Sequence, residues 1–188
     1  MDSSILIYIQ EFIRNDILDP VMVFITHTGD YGVLWIALVL LLIIIPKTRI
    51  LGHVAGFSLA IESVINNLIL KPVVARIRPY EVIEELILMI EEQKDYSFPS
   101  GHSGAAFAVA GAFFFALVLG IPGLSSDRRY KVFTIVVLIY ATLLSFSRLY
   151  VGVHYPTDVL AGIALGLLSG VAGYYAEKKL RAVVYRAR

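Results

Sequence analysis

The chain of 188 residues is 58% hydrophobic and only 16% charged, with a mean hydropathy of +0.77 and a formal net charge of +1. That balance is too apolar for a soluble domain and points to one multi-span membrane unit over residues 1–188. The absence of cysteine excludes disulfides, zinc–thiolate sites and thiol catalysis.

In chain order, residues 4–28 mix apolar positions (Ile5, Leu6, Ile9, Phe12, Ile13, Ile17) with polar ones at helical spacing. This predicts an amphipathic helix on the membrane surface, with packing against the bundle as a partial span the alternative. Asp2, Glu11, Arg14, Asp16 and Asp19 make the segment unlike a cleaved signal peptide. Five apolar runs follow, over 31–45, 50–70, 102–121, 132–146 and 159–176, and predict an all-α integral membrane bundle of five spans. The first and fourth are shorter than the roughly 20 residues a crossing needs, and must borrow flanking residues. Glu62, Asn66 and Asn67 interrupt the second run, where interhelix hydrogen bonding is the expected use. Residues 80–93 set Ile83, Leu86, Ile87 and Ile90 against five glutamates, which predicts an interfacial helix. Gly162, Gly166 and Gly170, spaced by four in the last run, predict close packing within the bundle. His27 and His53 are expected to be mainly structural, and Trp35, inside the first run, says nothing about substrate.

Five single crossings put Lys47, Arg49, Arg128, Arg129, Lys131, Lys178, Lys179, Arg181, Arg186 and Arg188 on one side. These are ten of the sixteen Lys and Arg residues, so that side is expected to be cytoplasmic.

Three polar segments fall together on the opposite, extracytoplasmic side. In the first, Lys71 and Arg78 precede Pro79 and, seven residues apart on a helix, would share a face. Pro72 is expected to bend the helix there. The second is Pro99-Ser100-Gly101-His102. Ser100 is a good N-cap, and the free amides of a helix start bind phosphate. Gly101 permits close backbone approach, and His102 sits in the first turn. The third runs from Ser147-Arg148 to His154 and Asp158, with Pro156 in the first turn of the last span. The turn into that helix can bring the Asp158 carboxylate onto one ring nitrogen of His154, leaving the other free to attack.

Taken singly, each segment has a plain structural use in capping or snorkelling. Together they supply what phosphoryl transfer needs. Lys71, Arg78 and Arg148 neutralise charge, Ser100 and the Gly101 amides donate hydrogen bonds, His154 attacks and His102 serves as acid and base. Nothing resembles a carboxylate cage for magnesium, so no metal or other cofactor is implied.

The complete set, Lys71 to Arg78-Pro79, then Pro99-Ser100-Gly101-His102, then Ser147-Arg148 to His154 and Asp158, resembles the three-part signature of the type 2 phosphatidic acid phosphatase superfamily. The resemblance implies a phosphohistidine at His154 supported by Asp158, with His102 as acid/base. It implies a phosphate cradle of Lys71, Arg78, Ser100, Gly101 and Arg148. The expected protein is a multi-pass cell-membrane lipid phosphatase with an extracytoplasmic site, and undecaprenyl diphosphate is the favoured substrate. Phosphatidylglycerol phosphate and phosphatidic acid follow, and a lipid-to-lipid phosphotransferase or a non-enzymatic transporter or structural protein are the alternative classes. The partners expected are the lipid phosphate and the bilayer, with no nucleic-acid patch.

Overall fold

The computed structural model describes residues 2–121, 124 and 126–186. The basic residue Arg188 and part of the 122–131 loop lie outside the described residues. All regular elements among them are helical: α1 (Asp2–Phe12), α2 (Leu18–Thr28), α3 (Val33–Ile44), α4 (Arg49–Ser63), α5 (Lys71–Val74), α6 (Pro79–Val82), α7 (Gly101–Val118), α8 (Arg128–Tyr150) and α9 (Pro156–Arg186). Four stretches are long and apolar enough to cross a membrane: Arg49–Val82, Gly101–Val118, Arg128–Tyr150 and Pro156–Val183. Leu18–Thr28 and Asp30–Ile44, bent by 47°, pass the same test only when taken together, as a broken span or a re-entrant loop. The outward faces carry a belt of exposed apolar side chains such as Leu40, Leu68, Ile135, Leu160 and Leu168. In water this would be unfavourable; against acyl chains it is the required surface.

As a broken span, the short first run would take its missing length from α2. The 4–28 segment is therefore two helices rather than one surface helix. Leu6, Ile9, Met22 and Thr26 are buried, and Met22 packs with Tyr150 of α8. Of its apolar stripe, Leu6 and Ile9 face the bundle, whereas Ile5, Phe12 and Ile17 are exposed. Between α2 and α3 a 3-10 turn, Asp30–Gly32, bends the chain through two successive left-handed residues, Tyr31 (φ 54°) and Gly32 (φ 66°). Gly32 adopts this freely, whereas a non-glycine residue such as Tyr31 is held there at a cost of about 1–3 kcal/mol.

Helices α7 and α9 form the centre. Gly162, Gly166 and Gly170 lie directly on the α7 backbone, with room for no side chain: a Cβ at Gly166 would stand 2.6 Å from the Gly104 carbonyl oxygen. The four-residue glycine spacing thus packs helices inside the bundle. Around this contact Phe113, Leu144, Ala141 and Trp35 build the apolar core.

Two expectations fail in the second span and its exit. Residues 80–93 do not form an interfacial helix. Helix α6 stops at Val82, and Ile83 is extended. The polypeptide beyond is claimed by tertiary partners that a helix would forfeit. The Gln10 side chain bonds Glu85 O and Ile87 N, Arg14 Nη1 bonds Ile87 O, and Met89 N–H reaches Val151 O. Nor do Glu62 and Asn66 bond between helices. Asn66 Nδ2 donates to Glu62 Oε1 at 2.7 Å within one helix, and the pair fills space left by Gly104 on α7.

Candidate active site

The bundle opens at one end into a cavity of about 710 Å³ whose wall includes Lys71, Arg78, Gly101, His102, Arg148 and His154. These residues come from the exit of the α4 span, the start of α7, the end of α8 and the turn into α9. The three polar segments therefore converge.

Lys71 reaches the cavity through an irregularity. Val64–Leu70 is π-helical, and the Lys71 N–H bonds back five residues to Asn66 O. The wider turn precedes Pro72, whose missing N–H would otherwise leave a gap in an α-helical ladder. The helix then ends at Val74 because Ala75 is left-handed (φ 49°). Arg78, with φ −75° and ψ 152°, lies beyond the helix. The expectation that Lys71 and Arg78 share a helical face is thus corrected. A single carboxylate, Asp95, brings them together. Lys71 Nζ and Arg78 Nη2 both pair with it, the latter at 2.6 Å, and Arg78 Nε bonds Asp95 O at 2.9 Å. Arg78 Nη1 also donates to Val153 O at 2.8 Å. Burial opposes ionisation of Asp95, but the hydrogen bond and charge of Lys71, with Arg78, outweigh it and hold the carboxyl at about 2. Asp95 is thus an anion held on two cations at the cavity wall.

Ser100 caps α7, its Oγ accepting from Ser103 N–H at 3.4 Å and from the Ser103 hydroxyl at 3.1 Å. It is fully buried, so its hydroxyl serves the cap, and the cavity meets Gly101 and His102 instead. At Gly101 a Cβ would meet only Asn67 Oδ1, at 4.0 Å, which leaves the helix start open to the cavity. His102 Nε2 lies 3.1 Å from Asp30 Oδ1.

Arg148 is buried in the last turn of α8. Its Nη1 donates to Thr26 Oγ1 at 2.6 Å, while its Nε is buried without a partner among the described residues. A buried guanidinium with a spare donor beside a cavity is poised for an oxyanion.

His154 lies on the α8–α9 turn and Asp158 in the first turn of α9, as the sequence predicts, with one addition. His154 Nδ1 and Asp158 Oδ2 are 3.6 Å apart, an ion-pair separation longer than a hydrogen bond. The Ser97 hydroxyl sits between them, donating to Asp158 Oδ2 at 2.5 Å and lying 3.5 Å from His154 Nδ1. Asp158 Oδ2 also accepts the Tyr155 N–H at 2.9 Å, and Arg76 Nη1 donates to Oδ1 at 2.6 Å. Arg76 continues to Asp2 at 2.9 Å, so α1 is tied to the same carboxylate. Burial pushes the His154 imidazole down to about 3, with Asp158 opposing and Arg78 and Arg148 reinforcing. The ring is neutral at pH 7. With Nδ1 turned to Ser97 and Asp158, Nε2 is the nitrogen available for attack.

Sequence reasoning missed Thr26, Asp30, Arg76, Asp95 and Ser97. Arg76 and Ser97 flank motif residues by two or three positions, a usable signal. Thr26 and Asp30 stand over forty residues before the first motif and carried none. Among the described residues no group of three or more His, Cys, Asp or Glu is arranged to hold a metal ion.

The fold and site define a multi-pass helical membrane protein with a cationic, histidine-bearing cavity at one end of its bundle. The chain belongs to the PAP2 superfamily, whose family model matches residues 51–182. It is 38% identical over 149 residues to an undecaprenyl-diphosphatase of Sulfolobus acidocaldarius, covering 79% of this chain and 66% of that one. It is 31% identical over 175 residues to undecaprenyl-diphosphatase BcrC of Bacillus subtilis, covering 91% and 81%. The crystal structure of a transmembrane PAP2-type phosphatidylglycerolphosphate phosphatase from Bacillus subtilis superposes with a TM-score of 0.72 at 30% identity, over 100% of this chain and 87% of that one.

Proposed function

We propose that this single-domain chain is a membrane lipid phosphate phosphatase working through a phosphohistidine. The observation that carries the reading is the convergence of Lys71, Arg78 and Arg148 with His102 and His154 on one cavity at the end of an apolar bundle. His154 Nε2 attacks phosphorus, forming an N–P bond as the P–O bond to the leaving group breaks. His102 gives the leaving oxygen its proton. Water then attacks the phosphohistidine, yielding its proton to His102, and inorganic phosphate departs. The three cations and the Gly101 helix start hold the non-bridging oxygens, where charge stabilisation does most of the work. No metal ion takes part in this scheme.

The substrate we favour is undecaprenyl diphosphate, supported by the names of two relatives that match most of this chain. A phosphatidylglycerol phosphate reading is supported by the structural neighbour that superposes on the whole chain. We place the site on the extracytoplasmic face of the cell membrane from the distribution of Lys and Arg.

A phosphate-release panel of undecaprenyl diphosphate, phosphatidylglycerol phosphate and phosphatidic acid, with EDTA present and with His154→Ala as control, tests this. Release from at least one lipid, abolished by the substitution, is expected. Release that needs magnesium refutes the metal-free scheme, and no release from any lipid refutes the activity. Loss of phosphate only when an acceptor lipid is added would make the chain a phosphotransferase. The native chain lacks cysteine, so Lys94→Cys, at an exposed position between α6 and α7, provides a single label, expected to react from outside intact cells.

A further inference from the structure

Asp30 lies outside the segment that the family model matches, and no motif contains it. It nevertheless touches His102, and the turn bearing it is shaped around that ring. Asp30 Oδ1 is 3.1 Å from His102 Nε2, and Oδ2 is 2.8 Å from Nδ1 of His27, one turn back on α2. Gly29 supplies a second, independent contact: a Cβ there would stand 2.5 Å from His102 Cδ2, so the imidazole packs against bare backbone. The left-handed pair Tyr31 and Gly32 then fixes the bend that holds Asp30 toward the cavity.

We propose that Asp30 is the positioning residue for the acid/base histidine, so that the site contains two carboxylate–histidine couples, Asp158 with His154 and Asp30 with His102. The inference rests on the phosphohistidine reading above. By accepting from Nε2–H, Asp30 sets the tautomer and leaves Nδ1 to exchange a proton with the leaving oxygen and then with water. It also answers a charge problem. His102 shares its cavity with Lys71 and Arg148, cations that disfavour a protonated ring. The other acidic residues on that wall are Glu62, from the α4 span and bonded to Asn66, Asp95, which is engaged by Lys71 and Arg78, and Glu91 and Glu92 of the connection after α6, which Lys94 accompanies. Asp30 is therefore the carboxylate in direct contact that favours the proton-loaded acid, and His27, half exposed behind it, gives the couple a route to solvent.

The test uses the purified full chain in detergent micelles with undecaprenyl diphosphate, comparing Asp30→Asn, Asp30→Glu, His102→Ala and the Asp30→Asn/His102→Ala double variant. Asp30→Asn is expected to lower kcat by about 10- to 100-fold, a part of what general acid–base catalysis supplies, with KM within about twofold. The high-pH limb of kcat should move to lower pH by about one unit, because the lost carboxylate no longer favours the imidazolium. Asp30→Glu should recover most of the rate. In the His102→Ala background Asp30→Asn should cost nothing further. An unshifted limb, or additive losses in the double variant, would overturn the role of Asp30. If His102→Ala itself turns over like the native chain, the reaction scheme fails instead. Should Asp30→Asn not fold, Asp30→Ser carries the same pH test, and an unmoved limb there overturns the proposal.

Discussion

Replacing Gly166 by alanine is the sharpest probe of how the bundle holds its site. A Cβ at this position would stand 2.6 Å from Gly104 O, 2.7 Å from Ala108 N and 2.8 Å from the carbonyl carbon of Phe107, whereas ordinary contacts begin at 3.4 Å. All three neighbours are backbone, so none can swing aside, and α9 must back away from α7 by about 0.8 Å. Overpacking of this kind costs about 1–3 kcal/mol of stability. On the phosphohistidine reading the kinetic consequence is larger, because the two helices then carry opposite sides of the reaction. His102 stands in the first turn of α7 and Asp158 in the first turn of α9. Misplacement by about 1 Å costs on the order of 100-fold in rate, so Gly166→Ala should lose tens-fold in kcat while remaining folded. The assay pairs phosphate release with thermal unfolding in detergent. Gly56→Ala is the control, since a Cβ there meets only the Val39 side chain, at 3.3 Å. Native kcat and an unchanged Tm in Gly166→Ala would refute the argument that backbone contact sets the site.

Three further outcomes follow from the geometry. Ser97→Ala leaves Asp158 Oδ2 without its hydroxyl donor and His154 Nδ1 without its bridge; kcat should fall by about 10-fold or more with folding intact, and an unaffected kcat would show direct Asp158–His154 coupling to be sufficient. Asp95→Asn frees Lys71 and Arg78 from a competing anion; inhibition by inorganic phosphate should tighten by about tenfold, roughly 1.4 kcal/mol, and weaker inhibition would mean that Asp95 chiefly orders the two cations. The His154 imidazole titrates at about 3 when folded, against 6.5 ordinarily. Between these values the unfolded chain binds a proton that the folded one does not, so stability is lost as pH falls from about 6.5 toward 3, by up to about 1.4 kcal/mol per unit. The Tm of the native chain should therefore drop faster than that of His154→Gln between pH 7 and pH 5; parallel curves would refute a buried neutral ring.

The parts legible in the sequence were those governed by local rules. Ser100 caps α7 as its type and place predict, and the glycine stripe of α9 packs where its four-residue spacing points. Charge clusters at the ends of apolar runs converge because consecutive spans alternate direction. The parts that escaped depend on long-range contacts or on departures from regular geometry. Helical spacing assigns Lys71 and Arg78 one face only while the helix continues, and left-handed Ala75 stops it between them. The glutamates of 80–93 look like a solvated helical face, yet Arg14 and Gln10 capture the backbone there. Asp30 reaches His102 across 72 residues, and nothing in its own neighbourhood advertises that partner.

The bond from Asp2 through Arg76 to Asp158 makes the two ends of the chain unequal as places to attach a handle. The Thr157 hydroxyl also donates to Asp2, at 2.5 Å, so the first turn of α1 is clasped to the first turn of α9 close to His154. A purification tag or fluorescent fusion joined ahead of Asp2 is expected to disturb that clasp and, through Arg76, the Asp158 carboxylate. At the other end α9 runs on through Lys178, Lys179 and Leu180, all exposed and remote from the cavity. A label carried there is expected to leave the Asp158–His154 pair alone, and phosphate release by the two fusions would show how far an N-terminal tag disturbs it.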